Sequence, residues 1–218
     1  MRRIPRLASA AALVAVLCAV LVASGVSPQT ACALDNVSAS NVFTLPTPGT
    51  QKWYGSSCGD VVVWGEHSGV WGYDLTQKRL FRLPVDTDLG TPDIPRISPG
   101  WIVYKVFEEV SWDQHIYAYD RSTEATFAVT SGRGSQGNYE ISGDTVVWVS
   151  PDESNDSDIF GKNLATGESF IVTTAPGSQG GPDIEGDWVV YTTESVAHGR
   201  DVMAYNIRTK TTRTLCGW

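Results

Sequence analysis

The sequence predicts an all-β chain folded as a small β-propeller, with about four four-stranded antiparallel blades set radially around an axis. Three observations predict it. One pattern of apolar and turn residues recurs four times, and its marker aromatics lie 40, 44 and 43 residues apart. Each copy holds four short β-branched or aromatic runs bounded by Gly, Pro, Asp and Asn, with hardly any helical apolar spacing. A lone four-stranded sheet leaves an apolar face in water, and radial stacking covers it while leaving only short edges.

The chain begins with a segment that stands outside this pattern. Arg2, Arg3 and Arg6 precede an apolar run from Leu7 to Val26, and the small-residue triplet Ala31-Cys32-Ala33 follows. Basic, apolar and small-residue regions in that order read as a secretory signal peptide over residues 1–33. Cleavage after Ala33 leaves one domain, Leu34 to Trp218, with no second apolar run able to span a membrane. The run is long enough that an uncleaved membrane anchor is the alternative. The expected location is therefore secreted or in the cell envelope.

Each repeat opens with a turn and an apolar run ending in an aromatic. The four copies are Gly59-Asp60-Val61-Val62-Val63-Trp64, Pro99-Gly100-Trp101-Ile102-Val103-Tyr104, Gly143-Asp144-Thr145-Val146-Val147-Trp148 and Gly186-Asp187-Trp188-Val189-Val190-Tyr191. An alternating stretch follows and ends at Asp74, Asp120, Asn163 or Asn206. Such residues accept hydrogen bonds from nearby backbone and start tight turns. Nine residues further on stands an aliphatic residue, Leu83, Val129, Val172 or Leu215. Another short run precedes each opening turn, at Trp53–Ser57, Ile94–Ser98, Tyr139–Ser142 and Pro182–Ile184, and would form the inner strand. Val42-Phe43-Thr44-Leu45 resembles the outer strand of a repeat and is expected to help close the ring against the last blade. Four blades is the small end of the propeller range, so an open arc, or a dimer completing a larger ring, are the alternatives.

Gly-Ser-Gln, then Pro-x-Ile, Gly-Asp-x-Val-Val-Trp, Asp-Ile-Phe and Asn-Leu-x-Thr-Gly make a pattern that resembles the TolB-like β-propeller repeat. The third copy, from Gly134-Ser135-Gln136 through Asp158-Ile159-Phe160 and Asn163-Leu164-Ala165-Thr166-Gly167, carries it most fully. The second copy departs from it, with Pro99-Gly100 for Gly-Asp and His115 where Asp158 and Asp201 stand in later copies. The resemblance implies the fold and an exported binding scaffold. It assigns no catalytic residue.

Charge and composition narrow the function. Removing Arg2, Arg3 and Arg6 from the 16 basic residues leaves 13 against 24 acidic, a net charge of −11. That excludes nucleic acid and anionic lipid as natural partners. His67, His115 and His198 occupy inequivalent repeat positions, and the acidic loop Pro151–Asp158 lacks calcium-loop spacing, so no metal or other cofactor is expected. Cys58 and Cys216 survive cleavage, and an even count in an exported chain suggests a disulfide between them.

Repeat position also marks a constellation. Arg96, Glu140 and Asp183 each precede the isoleucine of an inner run, with Ser56 the corresponding residue of the first copy. Alternate side chains of inner strands would line a central channel, where one cation and two carboxylates could bind a small polar ligand or pair with one another. Trp53, Trp112 and Trp218 recur in no other copy and are the candidates for exposed aromatic contacts. The expected function is a binding or scaffold protein that recognises a protein or cell-wall glycan. A polysaccharide-active enzyme, a lyase or hydrolase, is the rival, and it lacks any nucleophile–base pair in the sequence.

Overall fold

The computed structural model describes residues 52–66, 68–86, 90–108, 112–131, 134–151, 156–195 and 199–216, all within one unit. The expected leader, the expected strand over Val42–Leu45, Trp218, His67 and His198 lie outside the described residues. Blade 1 comprises β1 (Lys52–Cys58), β2 (Val61–Glu66), β3 (Gly69–Asp74) and β4 (Arg79–Arg82). Blade 2 comprises β5 (Thr91–Ile97), β6 (Trp101–Phe107), β7 (Gln114–Asp120) and β8 (Thr126–Ala128). Blade 3 is β9 (Tyr139–Ser142), β10 (Thr145–Pro151), β11 (Ser157–Asn163) and β12 (Ser169–Thr173). Blade 4 is β13 (Gln179–Glu185), β14 (Trp188–Ser195), β15 (Gly199–Asn206) and β16 (Thr211–Cys216). Each blade is a separate four-stranded sheet in sequence order, and every pairing is antiparallel. This is the four-bladed β-propeller that the repeat predicts. The first strands of successive blades approach one another, which places β1, β5, β9 and β13 on the inner side.

The turn residues do what their chemistry suggests. Gly59, Gly143 and Gly186 take φ of 56°, 55° and 55° at the inner hairpins, a left-handed backbone that costs glycine little. Further along, Asp74, Asn163 and Asn206 side chains each accept the backbone N–H three residues on, at 2.7, 2.9 and 2.9 Å. Asp120 accepts N–H groups from Ser122 and Thr123, and the Ser122 bonds hold its carboxyl below the usual range. The Gly-Ser-Gln motif acts as a loop clasp. Buried Gln179 donates its amide to the carbonyls of Ala175 and Gly177, and buried Gln136 donates to that of Gly134.

Alternation within the strands sorts side chains between two faces of each blade. On the leading face of blade 1, Val61, Val63, Val70 and Leu83 pack on Ile102, Tyr104 and Val106 of the trailing face of blade 2. Trp101, Val103, Ile116 and Val129 of blade 2 meet Val146, Trp148 and Leu164 of blade 3. Val147, Ile159 and Val172 of blade 3 meet Val189, Tyr191 and Tyr205 of blade 4. One set of repeat positions thus forms all three seams. Trp101 adds a cross-seam hydrogen bond, its indole donating to Asp144 Oδ1 at 2.8 Å. Among the described residues no hydrophobic cluster joins blade 4 to blade 1.

The expected Cys58–Cys216 bridge is not made. Cys58 is disulfide-bonded, whereas Cys216 is a free, exposed thiol. The pairing assumed that the first and last blades meet. Cys58 instead sits buried at the end of an inner strand, in the seam between blades 1 and 2, while Cys216 ends the outer strand of blade 4. The partner of Cys58 lies outside the described residues. Alkylation of the full 218-residue chain without reductant is therefore expected to label Cys216 and spare Cys58. Reduction should expose Cys58 and lower stability by about 2–5 kcal/mol, read from denaturant midpoints.

Candidate functional site

The inner strands carry the site, and a bulge shapes them. Pairing of β1 with β2, β5 with β6 and β13 with β14 shifts by one residue, between Trp53 and Ser56, Asp93 and Arg96, and Gly180 and Asp183. Within each shift one residue takes a left-handed backbone: Tyr54 at 49°, Ile94 at 50° and Gly181 at 57°. Such a bulge bends its strand and re-aims the side chains that follow. Glycine accepts this conformation readily, but a β-branched isoleucine there is strained by about 1–3 kcal/mol.

Two neighbours hold Ile94 in place. The Asp93 carboxylate accepts the Ile94 N–H at 2.7 Å. From blade 3, the Tyr139 hydroxyl donates to the Ile94 carbonyl oxygen across the seam. Tyr139 is buried, and that burial drives its phenol far above its ordinary value. Tyr139→Phe removes the clasp while leaving the ring. The expected loss is about 1–3 kcal/mol, measured by urea denaturation, because the Ile94 carbonyl is left without its partner.

Beyond the bulge the predicted channel positions fall in register. Ser56, Arg96, Glu140 and Asp183 pair with Val63, Val103, Val147 and Val190, the same position in every blade. Arg96 and Glu140 come together, with Arg96 Nε donating to both Glu140 oxygens at 2.8 and 2.9 Å. Arg96 also donates to the Pro95 carbonyl at 3.3 Å. Asp183 does not complete a triad with them. It is exposed, and its carboxylate accepts the N–H of Ile184 at 2.9 Å.

The ion pair forms part of the wall of a pocket of about 290 Å³ lined by residues of blades 2, 3 and 4. Ile94, Arg96 and Lys105 come from blade 2, Asn138, Tyr139 and Glu140 from the blade 3 side, and Gly181 and Pro182 from blade 4. Lys105 lies over the Tyr139 ring, its ammonium 5.8 Å from the centroid. Partial burial lowers the Lys105 pKa, an effect that Asp93 opposes. The pocket therefore offers two cationic donors, a carboxylate acceptor and an amide beside an apolar floor.

Sequence reasoning found Arg96 and Glu140 but missed Lys105, Tyr139, Asp93 and Ile94. Lys105 follows the marker aromatic, where the other blades carry Gly65, Val149 and Thr192. That departure is a signal the sequence contains. The Tyr139–Ile94 clasp depends on the bulge and has no sequence signature.

The aromatic candidates separate. Trp112 is 71% exposed on a loop and lies edge-on to Phe107, with ring centroids 5.6 Å apart. Its backbone is tied down, for its N–H donates to Glu108 O at 2.9 Å and its carbonyl accepts the Ser135 hydroxyl at 3.2 Å. Trp53 is half-buried on β1. His115 is buried, with Nε2 3.5 Å from Glu108 Oε1. Among the described residues no cluster of three or more His, Cys, Asp or Glu could hold a metal ion.

Comparison with known proteins supports the fold. No protein-family model matches the chain, and no curated protein matches it in sequence. Solved structures do match. TolB from Acinetobacter baumannii superposes with a TM-score of 0.50 at 17% identity, over 72% of this chain and 41% of that one. The β-propeller domain of the Trilobed protease from Pyrococcus furiosus matches with a TM-score of 0.58 at 12% identity, over 76% of this chain and 57% of that one. The computationally designed Ika4 protein matches with a TM-score of 0.52 at 11% identity, over 78% of this chain and 94% of that one. The chain thus spans less than half of the TolB chain it resembles. At these identities the likeness is one of fold, and it is to β-propellers that this chain is similar.

Proposed function

We propose that this protein is an extracytoplasmic binding propeller that recognises a cell-wall glycan or a protein partner through the pocket at the inner ends of blades 2 to 4. The observation that carries the reading is the pocket's lining: Lys105 and Arg96 as donors, Glu140 as acceptor and Asn138 as both, around Ile94 and Pro182. Sugars and peptide backbone present donors and acceptors side by side, and a few placed polar groups against an apolar wall bind such ligands. Trp112 adds a flat exposed ring on an anchored loop, suited to stacking on a sugar or a partner's side chain. The signal-like leader and the acidity of the chain agree with an exported setting.

Glu140 is held by Arg96 in a two-oxygen contact, an arrangement that orients a ligand rather than passing protons. This favours binding over glycan hydrolysis. The reading is tested with a glycan array and a pull-down from the secreted fraction. Lys105→Ala is expected to weaken binding of any captured ligand at least about tenfold, the equivalent of one charge-assisted hydrogen bond. Unchanged binding by Lys105→Ala and Glu140→Gln together would defeat the assignment to this pocket.

A further inference from the structure

Lys105 brings a cation without a counter-ion to the wall of the pocket. It is half-buried, and among the described residues it takes part in no ion pair. Asp93, its cross-strand neighbour, favours the charge from a distance but uses its Oδ1 on the Ile94 N–H, at 2.7 Å. The ammonium lies over the Tyr139 ring instead, 5.8 Å from the centroid, and burial lowers its pKa. A lysine drawn out of water normally gains a carboxylate in exchange. Lys105 and Arg96 stand against Glu140 as the one carboxylate of the lining, so the pocket wall carries a single positive charge in excess. That excess is local, for the whole chain has 24 acidic residues against 16 basic ones.

The main chain around the pocket has little left to offer a ligand. The Ile94 N–H goes to Asp93, the Ile94 carbonyl accepts the Tyr139 hydroxyl, and the Pro95 carbonyl accepts Arg96 Nη1 at 3.3 Å. Pro95 and Pro182 have no N–H to give. A peptide terminus is gripped chiefly by the N–H and C=O groups of a strand edge or a backbone nest, so this pocket suits it poorly. What remains is side chains: Lys105 as a charged donor, Asn138 as donor and acceptor, and Glu140 as acceptor, with Ile94 and Pro182 as the apolar wall. A sugar acid presents the complement on one ring, with a carboxylate, neighbouring hydroxyls that donate and accept, and a C–H face. The volume of about 290 Å³ lies at the small end of ligand sites, with room for one sugar residue rather than a length of chain.

We propose that the pocket takes a single carboxylate-bearing sugar residue of a glycan, a uronic acid, with its carboxylate on Lys105 and its ring hydroxyls between Asn138 and Glu140. This inference rests on the reading of the pocket as the binding site and adds the charge of its ligand. Glu140, held by Arg96, fixes the orientation, because it repels a carboxylate turned the wrong way. The acidity of the whole chain narrows the class further. Salt at physiological strength screens its repulsion beyond about 8 Å, so one carboxylate meets chiefly Lys105 and Arg96. A polymer of adjoining uronates would extend along the acidic surface and be repelled. The acid residues of the ligand therefore stand singly among neutral sugars.

Matched oligosaccharides test this on the oxidised full chain, by array and then by calorimetric titration. Each set holds an oligosaccharide with one glucuronate or galacturonate, its methyl ester, and its glucose or galactose parent. The acid member is expected to bind at least about tenfold more tightly than the ester or the parent. Lys105→Met should erase that difference and Lys105→Arg should keep it, with circular dichroism showing both variants folded. Equal binding of acid and neutral members, weakened by Lys105→Met and Glu140→Gln, would overturn the acid assignment and leave the pocket as the binding site. An acid preference that survives Lys105→Met overturns it as well, since the carboxylate then sits elsewhere. So does an array without a binder, or one on which polygalacturonate binds best. Capture of a peptide carboxylate through Lys105 would replace the sugar with a protein partner. Ligands indifferent to both Lys105→Met and Glu140→Gln would remove the reading of the pocket itself.

Discussion

Gly177→Ala is expected to destabilise the protein by roughly 3 kcal/mol or more, while Gly134→Ala at the same motif position costs about half as much or less. Both glycines open a Gly-Ser-Gln clasp and both have left-handed backbones, with φ of 91° and 100°. Alanine pays a conformational cost of about 1–2 kcal/mol at either site. The surroundings differ. A Cβ on Gly177 would run into the backbone carbonyl oxygen of Glu194, which belongs to β14 and cannot swing aside. At Gly134 the nearest atom is Pro151 Cγ at 3.4 Å, an ordinary contact. The Gly177 clash also falls on a paired segment, because Glu194 N–H donates to Ser178 O at 2.8 Å. For a domain of this size the Gly177 variant should melt roughly 6–12 °C lower, measured by calorimetry. Equal melting temperatures for the two variants would contradict the reading of the clasp.

The same two glycines show what was legible in the sequence and what was not. Gly134-Ser135-Gln136 was legible as the opening of the third repeat, and Gly177-Ser178-Gln179 matches it 43 residues further on. Nothing in the letters distinguishes Gly177 from Gly134, because the difference lies in how closely a neighbouring strand passes. The blades were legible for a related reason. Turn residues and alternation are local, so Asp74, Asn163 and Asn206 announce their hairpins wherever the sheet sits. Channel register was legible too, since Ser56, Arg96, Glu140 and Asp183 are tied to the marker aromatics by fixed offsets. What the offsets could not supply is the distance between blades. Arg96 and Glu140 meet because successive inner strands converge, but Asp183 satisfies itself on Ile184 N–H. The Cys58–Cys216 pairing was likewise a guess about how the end blades lie, and it failed. Curvature accumulates from small rotations at each seam, and no single residue encodes it.

Alkaline unfolding is the second large effect expected. Tyr104 is held up to about 12 from an ordinary value of 10.0, chiefly by its burial in the seam between blades 1 and 2. Tyr139 is driven up further, again by burial. Tyr117 and Tyr191 are raised as well, with burial the first cause in each. Below pH 10 these phenols are neutral in both folded and unfolded chains and give no pH dependence. Between pH 10 and 12 the unfolded chain releases its phenolic protons while the folded chain keeps them. The folded state then binds more protons, so stability falls as pH rises through this window. Tyr104 alone accounts for about 3 kcal/mol of that fall. Lys105 acts in the opposite sense. Its pKa is lowered from 10.5 by burial, so the unfolded chain holds that proton longer and stability rises slightly before the tyrosines take over. Melting temperature followed against pH should hold to about pH 10 and then drop steeply, with the tyrosinate absorbance of Tyr104 and Tyr139 appearing only as the fold is lost. Tyr104→Phe should flatten the drop while leaving the neutral-pH fold in place, since the ring still fills the seam. If all eight tyrosines titrate together near their free value while the chain stays folded, the seams are open to water. The packing of blade against blade would then be looser than the burial of Tyr104 and Tyr139 requires.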